Sequence, residues 1–262
     1  MSTGHEYIGG AEERIFDLTS GVLIAGATLP LAWAAGAISL LDSRSLDPYF
    51  QQERVGQGGD PFFVTKYRSI HADRTQGELT THETNDPRAT DAGQFLRTYG
   101  LDELPGLVQV IDGTMSMVGI RPKLRQTIEG YQTAAPEIFP AWWAAYTHGK
   151  PGITGLSQIF RKSAKYRTMP PEAQARRSML LDLRYHLMAS RTLDRLIVLR
   201  TPRELVRGKF EERLAATALA GFFGKPGKNT GLSLMHAEAI LESYALLPCC
   251  ASAPAPPTFD KI

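Results

Sequence analysis

Cysteine is nearly absent from this sequence. Of the 262 residues only Cys249 and Cys250 are cysteines, and they are neighbours near the C-terminus. Adjacent cysteines seldom pair with each other, and neither a second Cys-x-x-Cys unit nor a nearby histidine pair accompanies them. We therefore predict no disulfide framework and no zinc site, which is consistent with a protein facing the reducing cytoplasm.

An excess of charge is also lacking. The formal net charge is +2 and the sequence pI is about 8.5, so no nucleic-acid partner is predicted, although basic residues could still cluster locally around phosphates. Hydrophobic residues make up 43% of the chain and charged residues 21%, a balance that excludes wholesale disorder.

One long run without charge is present, residues 22–41, VLIAGATLPLAWAAGAISLL. About 20 apolar residues are enough to cross a bilayer as a helix. Four interpretations compete: a signal peptide, a buried helix of a soluble protein, a simple membrane span, and a helix that enters the membrane and turns back. Glu12, Glu13 and Asp17 before the run are unfavourable for export and argue against the signal peptide.

Pro30 lies in the middle of this run. An internal proline removes a backbone hydrogen bond and kinks or breaks a helix. A broken helix can re-enter the bilayer if the freed backbone groups find partners. Arg14 and Arg44 give the flanks little positive bias, which weakly favours both ends on one face. Residues 1–48 are thus predicted to hold a re-entrant membrane helix that breaks at Pro30.

The rest of the sequence predicts an α+β fold, mostly helical, with a small region of short strands. Two extended runs around Gly58-Gly59 are typical of a hairpin, and Lys66 and Arg68 on its second strand would point to one face. We assign a catalytic domain to residues 49–202. A helical extension with a disordered tail is predicted for residues 203–262.

Two features could lie on a membrane surface. The basic helical stretch over residues 172–200 fits an amphipathic helix on an anionic membrane, or an ordinary solvated face. A cluster of aromatic residues fits a membrane interface and a protein core equally well. Its members are Trp142, Trp143 and Tyr146.

Asp102 and Glu103 begin a stretch with helical spacing of apolar residues, Leu101 to Ile111. Asp102 occupies the place of an N-cap, and a carboxylate in the first turn suits the helix dipole. Pro105 is tolerated at such a position. Taken alone, the pair is more simply interpreted as a helix start than as an active site.

The order of several short blocks is more specific than any one of them. After the apolar helix come QERVG, KYRS, NDPR, FLR with GLDELP, MSMVG with RP, and KPGITGLSQ. In this order the blocks resemble the bacterial sugar transferase family, the monotopic polyprenyl-phosphate phosphoglycosyltransferases of glycan and exopolysaccharide assembly. The resemblance covers about residues 12–202.

The resemblance implies a two-step reaction at the cytoplasmic face of the bacterial inner membrane. Asp102 would attack the sugar-linked phosphate of a UDP-sugar, UMP would leave, and polyprenyl (undecaprenyl) phosphate would take the phospho-sugar. Glu103 is implied as a metal ligand or proton acceptor, with Mg²⁺ held by Asp102 and Glu103. A carboxylate suits both tasks, because it can form a covalent phosphoryl intermediate and offers Mg²⁺ the oxygen ligands it prefers.

The implied partners are a UDP-sugar, polyprenyl phosphate and membrane lipid, and cations are implied around the phosphates. Arginine presents a planar fork to phosphate oxygens and lysine a point charge. Lys66, Arg97 and Arg121 match family positions associated with phosphate binding. Three further candidates match more weakly, the arginine of NDPR and two residues of DLRY: Arg88, Asp182 and Arg184.

Several positions depart from the family pattern. The Ser-Pro of the helix break reads Leu29-Pro30, and Pro-Arg-Pro reads Ile120-Arg121-Pro122. None of these changes removes a charged catalytic group. They leave open a second hypothesis, a catalytically impaired, membrane-anchored paralogue that binds nucleotide sugar or lipid phosphate. A third is a soluble α/β protein whose first helix is buried.

Overall fold

The computed structural model describes residues 4–43, 45–71, 88–161, 166 and 168–207. The helices in these ranges are α1 (Gly4–Tyr7), α2 (Ala11–Asp42), α3 (Asp91–Tyr99), α4 (Gly106–Asp112), α5 (Arg125–Ala134), α6 (Phe139–His148), α7 (Leu156–Arg161), α8 (Pro171–Met188) and α9 (Arg191–Arg207). The strands are β1 (Tyr49–Val55), β2 (Pro61–Tyr67), β3 (Ser116–Val118) and β4 (Gly152–Thr154).

The strands form two small sheets, as the sequence predicted for this mostly helical fold. β1 and β2 are antiparallel, with Tyr49 opposite Tyr67 and Val55 opposite Pro61. The turn between them has positive φ at Gly58 and Gly59, 71° and 87°, which glycine adopts without the penalty of a side chain. β3 and β4 are parallel, with Val118 opposite Thr154.

The core is built around α6 and α8. Trp142, Trp143 and Tyr146 of α6 are buried among residues of α5 and α8, so of the two interpretations of this aromatic cluster the core is confirmed. α8 buries Met179, Leu181 and Leu183 among its central residues. α8 is therefore a core helix, and a position of the basic stretch on a membrane surface stays a prediction.

The basic stretch is also divided in two. Ala189 adopts an extended conformation (φ −51°, ψ 131°) that ends α8. Ser190 then begins α9, because its Oγ accepts from the Leu193 N–H at 3.3 Å and its carbonyl accepts from the Asp194 N–H at 2.9 Å. The predicted extension from residue 203 continues α9 to Arg207, and residues 208–262 lie outside the described part of the chain.

α2 is a single 32-residue helix with Pro30 inside it. The prediction of a break at Pro30 is thus wrong at the level of helix continuity. One proline removes one backbone hydrogen bond, and the residues on both sides keep theirs in helical conformation. α2 is the described helix long and apolar enough to cross a membrane, and only 11% of its apolar window is buried. Its exposed large apolar residues include Leu23, Leu31 and Trp33.

Both ends of α2 are fixed to the folded domain. Near the N-terminal end, the Arg14 guanidinium donates to the carbonyls of Val110 and Ile111 at 2.8 and 2.7 Å. Near the C-terminal end, the Ser39 hydroxyl lies 2.8 Å from the carbonyls of both Pro48 and Arg68. α2 is therefore bonded both to the last turn of α4 and to the open end of the hairpin, where β1 begins and β2 ends.

Candidate active site

A tight turn presents the Asp102–Glu103 pair. Gly100 ends α3 in the left-handed conformation, with φ 66°, and its N–H is directed at the carbonyls of Leu96 and Arg97. Leu101–Glu103 is then a single 3-10 turn, and α4 begins only at Gly106. The prediction that Asp102 caps this helix is wrong, because the turn separates it from α4 and Pro105 occupies the capping position.

Glu103 is held by two cations. Its Oε1 lies 2.8 Å from the Lys66 Nζ and also accepts from the Arg121 Nη2. Its Oε2 lies 3.3 Å from the Arg121 Nη1, so the guanidinium engages both oxygens. Residues 37 and 18 positions away in sequence thus meet on one carboxylate. Two of the three cations that match the family's phosphate-binding positions, Lys66 and Arg121, thus meet at Glu103.

The two neighbouring carboxyl groups are shifted in opposite directions. Burial alone would raise the pKa of Glu103, but the charges of Arg121 and Lys66 outweigh it and hold that pKa well below its usual range. Asp102 is 5% exposed, and burial together with the charge of Glu103 raises its pKa above the usual value. Glu103 is thus firmly anionic, whereas Asp102 lacks enough nearby positive charge to offset its burial.

Arg97 supplies part of that positive charge. It lies in the last turn of α3, and its Nε donates to the Ser69 Oγ at 2.7 Å. Its charge also lowers the pKa of Asp102, although less than burial raises it. Three cations therefore act on Asp102, and Lys66 and Arg121 lower its pKa more than Arg97 does.

Gln109 of α4 fixes the distance between the helix and the strand that carries Lys66. Its side-chain Oε1 accepts from the Thr65 N–H at 3.0 Å, and its Nε2 donates to the Phe63 carbonyl at 2.7 Å. The side-chain amide thereby satisfies backbone groups of β2 that would otherwise lack a partner. These two hydrogen bonds hold β2 against α4 and thereby keep Lys66 close to Glu103.

A pocket that is open to solvent lies beside Glu103, and its empty space of about 370 Å³ includes the solvent at its mouth. Its charged lining consists of Arg54, Lys66, Glu103 and Arg121. Arg54 was not among the residues predicted from the sequence. Burial, and then the charge of Arg121, lowers the pKa of its guanidinium to about 10. A buried cation beside another cation is costly, and an anion in this pocket would relieve that cost.

Tyr146 keeps Arg54 and Arg121 on the same wall of the pocket. Its hydroxyl donates to the Val55 carbonyl, next to Arg54, and accepts from the Lys123 N–H at 2.9 Å. The Val55 N–H donates in turn to the Lys123 carbonyl at 3.0 Å. The end of β1 is thus fastened to the segment that follows Arg121.

Lys123 adds another buried positive charge behind Arg121. It is 3% exposed, and burial lowers its pKa to about 8 against the attraction of Asp182. Asp182 itself accepts from the Trp142 indole N–H at 3.0 Å in the core between α6 and α8. The structure therefore gives Asp182 an internal partner and a place behind the pocket wall, and its predicted role at a substrate phosphate stays a prediction.

Two other residues predicted to bind phosphate are Arg184 and Arg88. Arg184 lies on α8, where burial and the charge of Arg177 lower its pKa to about 10. Arg88 precedes Ala89, which bridges to Ile70 just beyond β2. Neither has a described contact with Asp102 or Glu103, and their roles as phosphate ligands stay predictions.

Comparison with known proteins agrees with this geometry. The family model described as bacterial sugar transferase matches residues 10–208. A UDP-glucose:undecaprenyl-phosphate glucose-1-phosphate transferase of Caulobacter vibrioides is 33% identical over 147 residues, covering 56% of this chain and 53% of that protein. An undecaprenyl-phosphate glucose phosphotransferase of Komagataeibacter xylinus is 35% identical over 196 residues, 74% of this chain and 36% of that protein.

A shorter relative is also similar. The exopolysaccharide production protein ExoY of Sinorhizobium fredii is 34% identical over 178 residues, covering 62% of this chain and 74% of that protein. The chain spans about half the length of the Caulobacter protein and less of the Komagataeibacter protein. The family match includes α2, the hairpin, the acidic pair and the pocket, and on that basis the chain belongs to the bacterial sugar transferase family.

Proposed function

We propose that this chain transfers a sugar 1-phosphate from a UDP-sugar to undecaprenyl or a related polyprenyl phosphate, releasing UMP. The observation that carries the proposal is a buried carboxylate, Asp102, next in sequence to Glu103, which lines a pocket together with Arg54, Lys66 and Arg121. The names of the relatives, two undecaprenyl-phosphate glucose phosphotransferases among them, support the same acceptor class.

In the first step, an Asp102 carboxylate oxygen attacks the sugar-linked phosphorus. The bond between that phosphorus and the bridging oxygen breaks, and UMP leaves with the bond's electron pair. In the second step, an oxygen of the polyprenyl phosphate attacks the same phosphorus and releases the Asp102 carboxylate. Covalent catalysis is useful here because it replaces one difficult displacement with two easier ones.

The cations of the pocket have two tasks in this proposal. Arg54 and Arg121 neutralise the diphosphate of the donor, since phosphoryl transfer depends mainly on positioning and on charge stabilisation. Glu103 keeps Lys66 and Arg121 extended towards the reacting phosphate, because it engages both of them. We assign Glu103 chiefly to positioning, since its depressed pKa makes it a weak proton acceptor.

The donor set fits a magnesium ion. The Asp102 carboxylate is buried with a raised pKa, and the Glu103 Oε2 carries only the longer of the two described Arg121 contacts, at 3.3 Å. Both residues are oxygen donors of the kind Mg²⁺ prefers, and the ion usually binds one or two carboxylates plus substrate phosphates. When bound, it would neutralise charge on the phosphate oxygens and favour the ionised form of Asp102.

We also propose that α2 is embedded in one leaflet of the inner membrane without crossing it, so that both of its ends stay on the cytoplasmic side. A helix of 32 residues is about 48 Å long, more than the roughly 30 Å hydrocarbon core. A span would carry its two ends to opposite faces, yet Arg14 and Ser39 both bond to the same folded domain. Most of the exposed large apolar residues of α2 lie between these two attachments, and Pro30 lies among them.

The test is UMP release by the full-length protein in detergent, across a panel of UDP-sugars, with Mg²⁺ and polyprenyl phosphate. We expect release with at least one donor and its loss in Asp102→Ala. Glu53→Gln is the matched control, because Glu53 is an exposed carboxylate on β1. Undiminished release by Asp102→Ala would overturn the assigned mechanism, and binding of the donor without turnover would favour the impaired paralogue.

A further inference from the structure

Three histidines far apart in sequence meet on the side of α6 and α8 that carries α1. They are His5 of α1, His148 at the end of α6 and His186 of α8. One ring nitrogen from each lies within 4.8 Å of the other two. His186 is 1% exposed and the other two are half-buried. None of these residues lines the pocket beside Glu103.

The spacing of the ring nitrogens suits a small divalent metal ion. His5 Nδ1 and His186 Nε2 are 3.4 Å apart. Two ligands of a tetrahedral zinc ion, with Zn–N bonds of 2.0–2.1 Å, are separated by about 3.4 Å. The His148 ring stacks on that of His5 with centroids 4.1 Å apart, which keeps its nitrogen within 4.8 Å of the other two.

Backbone carbonyls hold two of the rings from behind. The His148 Nε2 lies 3.3 Å from the His5 carbonyl oxygen, and His186 is hydrogen-bonded to the backbone of Ala145. A metal-binding histidine commonly donates its second ring N–H to a carbonyl in this way, which fixes its tautomer and orientation.

Gly4 permits the close approach of α1. A Cβ at Gly4 would lie 2.5 Å from the carbonyl oxygens of His186 and Leu187, closer than any side chain tolerates. The backbone of α1 therefore packs directly on α8, and this contact brings the His5 ring beside His186.

We propose that His5, His148 and His186 form a structural binding site for a divalent transition metal of the Zn²⁺ class, which fastens α1 to α6 and α8. Imidazole nitrogen suits Zn²⁺, Cu²⁺ and Ni²⁺, and three such ligands leave one tetrahedral position for water. The site lies just before α2 and fixes the start of that helix.

The test is metal binding by the full-length protein in detergent, carrying Cys249→Ser and Cys250→Ser so that thiolates do not bind the probe. The protein is stripped with a chelator, and millimolar Mg²⁺ is added to occupy sites of oxygen ligands. Zn²⁺ affinity is then measured by competition with a chromophoric chelator. The visible absorption of bound Co²⁺ reports whether the ion has nitrogen ligands in a tetrahedral arrangement.

We expect one Zn²⁺ per chain and a tetrahedral Co²⁺ spectrum. His5→Ala and His148→Gln should each weaken Zn²⁺ binding by more than about 100-fold, above the 10–100-fold typical for loss of an outer partner. His71→Ala is the matched control and should bind as before, since His71 lies beyond β2. His5 and His148 are only half-buried, and circular dichroism checks that the variants remain folded.

Absence of stoichiometric Zn²⁺ binding would overturn the proposal, as would unchanged affinity in folded His5→Ala and His148→Gln proteins. The readout needs no transferase activity. Failure of this site therefore leaves the proposed reaction at Asp102 untouched, and the reverse holds as well.

Discussion

At the scale of single residues, the site depends on two adjacent carboxyl groups with different surroundings. Glu103 faces Lys66 and Arg121, which hold its pKa well below the usual range. Asp102 is buried, and the nearby positive charges do not offset that burial, so its pKa is raised. Environments that push two titratable groups apart commonly separate their roles. We accordingly assign the nucleophile to Asp102 and the fixed counter-charge to Glu103.

Glu103→Gln tests this division. The substitution keeps the size of the side chain but leaves Lys66 and Arg121 without their carboxylate. We expect a loss of stability of about 3 kcal/mol, at the low end for a broken buried pair because the Glu103 side chain keeps 28% exposure. Activity should fall by more than about 10²-fold. Chemical unfolding and UMP release measure the two effects, with Glu53→Gln as control, and wild-type values for both would contradict the assignment.

Arg54→Gln tests the pocket wall. Arg54 lines the pocket, and loss of one charge-assisted hydrogen bond, about 1.5–3 kcal/mol, should raise the KM for the UDP-sugar by roughly 10- to 100-fold. The matched control is Arg68→Gln, because the Arg68 guanidinium donates to the carbonyls of Asp47 and Tyr49 on the outer side of the hairpin. Equal effects of the two substitutions on this KM would contradict a role of Arg54 in binding the donor.

At the scale of elements, the site is assembled by contacts that link distant segments. Arg14 of α2 binds the end of α4, and Asp17 accepts from the Ser116 hydroxyl and the Met117 N–H of β3, at 2.9 and 2.8 Å. A second buried group, Asp194 of α9, accepts from the hydroxyls of Tyr7 and Tyr185 at 2.8 and 2.9 Å. The elements on either side of the chemistry are thus tied together through buried polar networks.

Asp194 should make stability depend on pH. Burial raises its pKa from 3.8 to about 7, so the folded protein binds a proton that the unfolded chain has already released. Stability should therefore fall as pH rises from about 4 to 7, by up to roughly 1.4 kcal/mol per pH unit, and change no further above that window. Asp194→Asn should flatten this slope in thermal unfolding measured at several pH values. Identical slopes for both proteins would contradict the shift.

The sequence predicted these elements unevenly. The hairpin follows from turn residues between two extended runs, and it is present. The division at Ala189–Ser190 was missed because neither glycine nor proline marks it. The N-cap role of Asp102 was wrong because local spacing does not reveal that Gly100 inserts a separate turn.

The residues of the candidate site were also predicted only in part. The ordered motifs singled out Lys66 and Arg121 as cations of the site, and both contact Glu103. Arg54 was missed, although the alternation of β1 places Gln52 and Arg54 on the buried face and offered a signal. The histidine cluster depends on tertiary contacts between residues 5, 148 and 186, which no local pattern records.

At the scale of the whole molecule, the apolar surface of α2 lies between two attachments to the domain. Trp33 is 75% exposed there, and Leu46 is 99% exposed just beyond the helix. If α2 enters the membrane, Trp33→Asp places a charge in hydrocarbon at a cost of about 2.5–3.5 kcal/mol, whereas Leu46→Asp does not. We expect weaker liposome binding in flotation for Trp33→Asp alone. Equal binding by both variants and wild type would contradict the embedded position.

The central claim is the covalent step at Asp102, and a single-turnover measurement tests it most directly. Full-length protein in detergent is mixed with Mg²⁺ and a UDP-sugar that supports turnover, without polyprenyl phosphate. The account predicts a burst of about one UMP per active chain, with a phospho-sugar adduct on the peptide that contains Asp102 by mass spectrometry. UMP release that strictly requires polyprenyl phosphate and leaves no adduct on this peptide would contradict it.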